Sequence, residues 1–313
     1  MSGFTVLAPG VLSILQDSGR FGKGGLGLTT GGPMDAPSAA WANRLMGNHS
    51  NATLIECSVG GLQLRAETHS FIAVTGAILP VSINGKAVEQ WTVHQVQPGD
   101  LIELGMVSKG LRVYVAVAGG FSIAPEFGST ATVLREGIGG INGNKLQAGD
   151  ILAAQTVIKL QRLGLPASYR PQFTQTLTLR LIEGYQASSF SATERQRFYL
   201  NSYQVTPQAD RMGYKLKGAA IQCQQTQLLS EGICYGSVQI PPDGQPIVLL
   251  NDRQTLGGYP KIGSVLSLDC ALLAQAGAGT EVYFTPISPH QAHNALCLAK
   301  VRTDAIISQL VTL

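Results

Sequence analysis

Charge is scarce in this chain. Only 13% of its 313 residues are Asp, Glu, Lys or Arg, and the formal net charge is +3. No Lys/Arg block occurs, and aromatic residues do not interleave with basic ones. That excludes nucleic-acid binding by a basic stripe. No apolar run reaches the length of a membrane span. The opening MSGFTVLAPG has neither a charged n-region nor an apolar h-region, so the expectation is a cytoplasmic chain. The 5 cysteines (Cys57, Cys223, Cys234, Cys270, Cys297) are scattered and form no CxxC. They read as reduced, mostly buried thiols.

The usual catalytic signatures are missing too. There is no GxxxxGK[ST] phosphate loop and no GxSxG nucleophile elbow, and Gly22, Gly24, Gly25 and Gly27 lack the GxGxxG spacing. His290 and His293 form an HxxH in the tail without a carboxylate beside it, and His49, His69 and His94 stand alone. No metal site is expected. These absences point to chemistry run by carboxylates, amides, arginines and backbone N–H groups. So little charge also implies a surface of uncharged polar groups or one covered by a partner.

Strand signals dominate what is present. Short Val- and Ile-rich runs alternate with Gly, Pro, Asn and Asp. Val81–Ile83, Asn84-Gly85 and Lys86–Val88 predict a hairpin, because Asn-Gly suits the two positive-φ positions of a type I′ turn. Gln97-Pro98-Gly99-Asp100 and Gln147-Ala148-Gly149-Asp150 each precede a strand, as does Gly277-Ala278-Gly279-Thr280. The echo reads as shared turn chemistry rather than duplication. Helices are few. One is capped by Asp35 or Ser38 and ends at Gly47-Asn48, and another is capped by Ser191 with Glu194 as a capping box. A short one spans Asp269 to Ala276, and an amphipathic one lies between Ser288 and Leu310. A composition shift near 155–174, with Pro166 and Pro171, reads as a linker between an N-terminal half, 1–158, and a C-terminal half, 172–313. Many short strands imply barrels or sandwiches rather than a parallel sheet.

Polar clusters on this scaffold nominate a site. Asp17 is a candidate base or orienting carboxylate, and Arg20 a clamp for a carboxylate or phosphate. The alternative is a turn with a surface Arg. Gly31 and Gly32 let backbone N–H groups approach an anion, or else open a helix capped by Asp35. Arg211 is a candidate anion anchor, and Tyr214 a donor to an oxyanion or a stacking ring. The alternative is an ordinary strand. The most informative segment, Ser230 to Ile262, carries Asn251, Asp252, Gln254 and Thr255, then Gly257, Gly258 and Tyr259. Asn251 and Asp252 are candidate catalytic groups and the others candidate ligand contacts, against an internal hydrogen-bond network that fixes the loop. Glu56 lies in an apolar strand and must meet an Arg or backbone N–H groups.

Several of these motifs together resemble one family: LQDSGR (15–20), GGPMD (31–35), IEC (55–57), VTGA (74–77), YVAVAGGF (114–121), RMGYKLKG (211–218) and GQPIVLLNDRQTLGGYPKIG (244–263). In this order they are similar to the allophanate hydrolase subunit 2 / biotin-dependent carboxyltransferase family, over nearly the whole chain. The resemblance implies a mostly β fold of two β-barrel-like halves, at least one cyclophilin-like, with a few short helices and a C-terminal helix. It implies an enzyme subunit, the C component of an ATP-dependent 5-oxoprolinase, which opens 5-oxo-L-proline to L-glutamate with a B-like and an A-like subunit. ATP with Mg would then be bound with those partners. The resemblance also admits a carboxyltransferase half for a urea-like acceptor, or a non-catalytic regulator of a kinase-inhibitor-like partner. The chain has no MKM-type segment, so any biotin must arrive on another protein.

Overall fold

The computed structural model describes residues 2–224, 228–307 and 309–312. The chain is mostly β and forms two compact units, one of residues 1–23, 30–172 and 305–313, the other of 24–29 and 173–304.

In the first unit two sheets face each other. One has six strands in the order Ile151–Ala153, Gly3–Pro9, Leu62–Ala66, Leu101–Leu104, Val81–Ile83, Lys86–Val88. The other has five, Leu12–Gln16, Leu54–Ser58, Lys109–Val117, Ser70–Ile78, Val93–Val96. Alternation along Lys109–Val117 explains the layering. Val113, Val115 and Val117 join the core between the sheets, with Phe4, Leu64 and Ile102 from the opposite sheet. Tyr114 and Ala116 point the other way, into a second core under helix α1, Ala36–Leu45. Strands buried on both faces read as unbroken apolar runs.

Helix α1 begins where its sequence says. Asp35 Oδ1 accepts from the Ser38 N–H at 3.0 Å and Oδ2 from the Ser38 hydroxyl at 2.7 Å. Gly47, at φ +64°, ends it. Ala39, Ala42 and Leu45 bury its inner face, and truncating Leu45 would cost about 2–5 kcal/mol.

The predicted hairpin forms, with Asn84 at φ +53° and Gly85 at +73°. The two echoing turns are the same object twice. Asp100 Oδ2 accepts the Gln97 N–H at 2.8 Å, and Asp150 Oδ2 the Gln147 N–H at 2.7 Å. Gly99 donates to the Ala66 carbonyl while Ala66 donates to that of Asp100, and Gly149 and Asp150 treat Val6 identically. The strands so gripped, Gly3–Pro9 and Leu62–Ala66, are adjacent interior strands of the sheet and pair with each other.

The second unit holds a closed barrel of seven strands: Thr176–Glu183, Lys261–Val265, Ser237–Gln239, Ile247–Leu249, Gly213–Gly218, Tyr203–Ala209 and Glu281–Pro286. The first and last pair in parallel and close it, so the barrel leaves no open edge. Val238, Val248, Ile262 and Leu216 are buried in it. Helix α2, Ala192–Leu200, is capped by Ser191 Oγ on the Glu194 N–H, 3.2 Å. Glu194 reaches the Gln222 N–H at 2.8 Å instead of turning back, so half of the expected capping box forms. Phe198 of α2 stacks on Phe284, centroids 4.4 Å apart.

Helix α3 spans Ser267–Leu273, starting earlier than expected. Leu266 opens it without a side-chain cap, and Asp269 falls in its first turn. Asp269 is buried and takes Arg180 in a fork at 2.6 and 2.9 Å. Helix α4, Pro289–Ile307, is where the tail pattern placed it. Its apolar stripe is covered only in part: Ala292 is buried and Ile306 packs against Trp41, Trp91 and Leu165, while Leu296 and Ile307 are exposed.

Candidate functional site

The nominated residues fall into two sets, one in each unit. In the first unit Asp17 and Arg20 grip the same loop. Asp17 Oδ1 accepts the Ser129 hydroxyl at 2.6 Å and the Gly19 N–H at 2.9 Å, and Oδ2 accepts the Thr130 N–H at 2.8 Å. Arg20, 2% exposed, donates to the carbonyls of Glu126 at 3.1 Å and Ala131 at 3.0 Å. A guanidinium holding backbone carbonyls inside the protein fixes a loop rather than offering a fork to solvent. Gly31 and Gly32 adopt φ +64° and +87°. A Cβ at Gly32 would stand 3.0 Å from the Ser18 carbonyl oxygen, so close backbone packing requires this glycine. Glu56 meets donors as its burial demands, the Met34 N–H at 2.8 Å and the Tyr114 hydroxyl at 2.9 Å. That hydroxyl in turn accepts the Asp35 N–H at 2.7 Å.

In the second unit Arg211 and Asp252 find each other. Nε reaches Oδ2 at 2.8 Å and Nη2 reaches Oδ1 at 2.9 Å. Backbone bonds run beside the pair, Asp252 N–H to the Arg211 carbonyl at 2.9 Å and Leu250 N–H to that of Met212 at 2.9 Å. Both are buried and neither lines the large cavity described below. Tyr214, nominated as a donor or stacking ring, is fully buried in the barrel and donates to the Ala274 carbonyl at 3.2 Å. It packs in the core instead. Asn251, Gln254 and Thr255 are half-buried along the loop that follows the Ile247–Leu249 strand. The Thr255 carbonyl accepts the Ile233 N–H at 3.0 Å.

The glycine pair and its tyrosine behave differently. Gly258 and Tyr259 line a cavity of about 640 Å³ in the second unit, closed on other sides by Pro241, Pro242, Pro260 and Cys223. Prolines and a tyrosine give flat apolar walls, the usual lining of a small-molecule pocket. Gly257 ends the short strand Leu256–Gly257, which pairs with Glu231–Gly232 outside the barrel.

Beside this hairpin lies a polar network that no motif announced. The Glu231 carboxylate takes Gln186 Nε2 at 2.7 Å and Lys261 Nζ at 2.5 Å on Oε1, and the Tyr185 hydroxyl on Oε2. Lys261, then Tyr185, holds the Glu231 carboxyl below its ordinary range. Glu231 and Lys261 both fall in the Ser230–Ile262 stretch that the sequence marks out, though it nominates neither. Tyr185, Gln186 and Glu231 come from distant segments that only the barrel register assembles.

The fold and the sequence match known proteins. A family model described as "Carboxyltransferase domain, subdomain A and B" fits residues 26–286. The chain is 35% identical over 293 residues to the C component of 5-oxoprolinase from Escherichia coli strain K12, covering 93% of each protein. It is 34% identical over 281 residues to the C component of the Haemophilus influenzae 5-oxoprolinase, covering 89% of each. The crystal structure of the K. lactis urea amidolyase superposes with a TM-score of 0.90 at 25% identity, across 97% of this chain but 20% of that one. Barrel, glycine-rich loops and end-to-end similarity agree, and the chain belongs to the carboxyltransferase-domain family of subdomains A and B, as a homologue of the 5-oxoprolinase C component.

Proposed function

We propose that this chain is the C-type subunit of an ATP-dependent 5-oxoprolinase that opens 5-oxo-L-proline to L-glutamate with partner subunits. The observation that carries this reading is the similarity to the 5-oxoprolinase C component over 93% of both proteins. The urea amidolyase similarity, by contrast, covers a fifth of a much longer chain.

The cavity beside Gly258 and Tyr259 supports a role in holding the lactam. Its proline and tyrosine walls suit a small flat ring, and Gly258 brings backbone close to the ligand. Charge that develops on an amide oxygen as the ring opens is stabilised by fixed donors, a large term in acyl chemistry. The nominated residues do not fit a nucleotide site formed by this chain alone. Arg211 is engaged with Asp252 and Arg20 with backbone carbonyls. Among the described residues no three His, Cys, Asp or Glu side chains come together as a metal site. On this reading ATP and Mg are bound together with the B-like and A-like subunits.

The test is reconstitution. The chain, alone and with both partner subunits, is assayed for 5-oxoproline-dependent ATP hydrolysis and glutamate release. Activity confined to the full mixture is the expected result. No turnover from subunits that are folded and associated would overturn the reading. It would favour carboxyl transfer to a urea-like acceptor, which the 0.90 TM-score to urea amidolyase supports. That alternative is checked by supplying a carboxybiotinylated carrier protein and an acceptor amide.

A further inference from the structure

Three donors from two separate segments converge on the carboxylate of Glu231. Gln186 is not free to turn away, because its Oε1 accepts the Lys261 N–H at 2.8 Å and so aims Nε2 at Glu231. Lys261 Nζ has a second hold on the Gly232 carbonyl at 3.1 Å. The lysine side chain is 12% exposed and that of Glu231 32%, so the cation lies inside and the carboxylate closes it from the solvent side. A structural ion pair needs one donor. Three oriented donors with the charge behind them are the arrangement that recognises a carboxylate.

A second observation marks the same place. Gln239 is 2% exposed, and its Nε2 has no hydrogen-bond partner among the described residues. Gln239 and Lys261 are register partners on neighbouring strands, so their side chains share a face of the barrel. A Cβ on Gly257 would come within 2.8 Å of Gln239 Nε2, and Gly257 is the register partner of Glu231. Gly257 therefore packs tightly over a buried donor that no described residue satisfies. Buried donors without partners are costly, and each one calls for an explanation.

We propose that Tyr185, Gln186 and Lys261, with Gln239 beneath, form a recognition site for the carboxylate of a small ligand, and that Glu231 occupies it as an internal stand-in. Glu231 is placed to withdraw. It sits on a two-residue strand paired only to Leu256–Gly257 and outside the closed barrel. Gly258 and Tyr259, the next residues along, line the cavity already described. If the ligand is 5-oxo-L-proline, its ring would enter that cavity while its carboxylate replaces Glu231. That identification rests on the proposed function, but the carboxylate site does not.

Carboxylate binding to the wild type and to one variant tests this. Calorimetric titrations of the full chain use acetate, 5-oxo-L-proline and 2-pyrrolidinone, the same lactam ring without its carboxylate. Glu231→Ala removes the competitor and leaves a charged lysine without its anion, so acetate should bind at least tenfold more tightly than to the wild type. Adding Lys261→Met to Glu231→Ala should abolish that binding, and 2-pyrrolidinone should give no comparable gain. A purely structural ion pair also leaves a gap that acetate can fill in Glu231→Ala, so the wild type discriminates: a displaceable Glu231 lets acetate bind there weakly, in competition, and a structural pair gives no carboxylate binding to the folded wild type. That outcome overturns the proposal. If circular dichroism shows Glu231→Ala unfolded, Glu231→Gln replaces it, with the same expected sign. Acetate binding without 5-oxo-L-proline binding would support the carboxylate site and count against the 5-oxoprolinase reading.

Discussion

Arg211 and Asp252 hold each other in a two-pronged ion pair, with both side chains only 7% exposed. The sequence offered them as an anion anchor and a catalytic carboxylate. The structure joins them across a separation of 41 residues. A buried pair of this kind is most sensitive to the loss of one member. Asp252→Ala should destabilise the chain by about 3–5 kcal/mol, because it strands a buried cation. A double replacement by apolar residues of similar volume should recover most of that loss. Urea denaturation of both variants checks the prediction. An unchanged midpoint for Asp252→Ala would return Asp252 to the list of groups free for catalysis.

The two adjacent glycines should not be equivalent. A Cβ at Gly257 meets Ile233 Cδ1 at 2.4 Å and Gln239 Nε2 at 2.8 Å. At Gly258 the nearest atoms are 3.4 and 3.6 Å away, ordinary contact distances. Gly257→Ala should therefore lower activity of the assembled complex well below that of Gly258→Ala, with both proteins folded. Side-by-side turnover measurements decide it, and equal activities would remove the packing of Gly257 on Gln239 from the site.

Tyr114→Phe should cost more than a surface hydroxyl. The hydroxyl joins the Asp35 N–H to the Glu56 carboxylate inside the first unit. Its removal takes an acceptor from a buried N–H and leaves a buried carboxylate with one donor fewer. A loss of about 1–3 kcal/mol is expected. Thermal or denaturant melting measures it, and a change under about 0.5 kcal/mol, the scatter of surface substitutions, would sink the idea.

The thiols should separate by reactivity. Partial desolvation raises the pKa of Cys234, whose side chain is still reachable by solvent, but hydrogen bonds with Ser237 and Ser264 and the nearby Arg253 charge outweigh it and hold the thiol below its ordinary value. Burial pushes Cys57 and Cys270 upward. Because the thiolate is the nucleophile, Cys234 should alkylate first in the native protein, at a rate that levels off with rising pH before that of an ordinary thiol. Cys57 and Cys270 should label only on unfolding. Timed iodoacetamide labelling with peptide mass spectrometry gives the order, and early labelling of Cys270 would contradict it.

Much of the scaffold was legible because it obeys local rules. Asn84-Gly85 specified its turn, Asp35 its helix, and alternating Val and Ile their strands. The expectation of mostly buried thiols held for Cys57 and Cys270 only, since Cys234 and Cys297 are exposed and Cys223 is half-buried. Local signals say nothing about which strand will cover a side chain. The site was less legible for the same reason. Arg211, Asp252, Arg20 and Asp17 were nominated for their chemistry, yet what each does depends on its partner, and those partners are set by tertiary pairing. Gly258 and Tyr259 do line a cavity, as the density of turn residues around them suggested. Tyr185 and Gln186 carried no local signal, and Glu231, though inside the Ser230–Ile262 stretch, was not singled out, because their meeting depends on barrel closure and register.

The paired Gln-x-Gly-Asp turns have a consequence for the six-stranded sheet. Each grips one of two adjacent interior strands through the same pair of backbone bonds, at Val6 on one flank and Ala66 on the other. Sliding either strand by one residue past its turn would break those bonds. It would also carry Phe4 and Val6, or Leu62 and Leu64, from the core to the opposite face. The reading frame of this sheet is thus keyed twice by polar punctuation, and the apolar core inherits its alignment from two aspartates that never enter it.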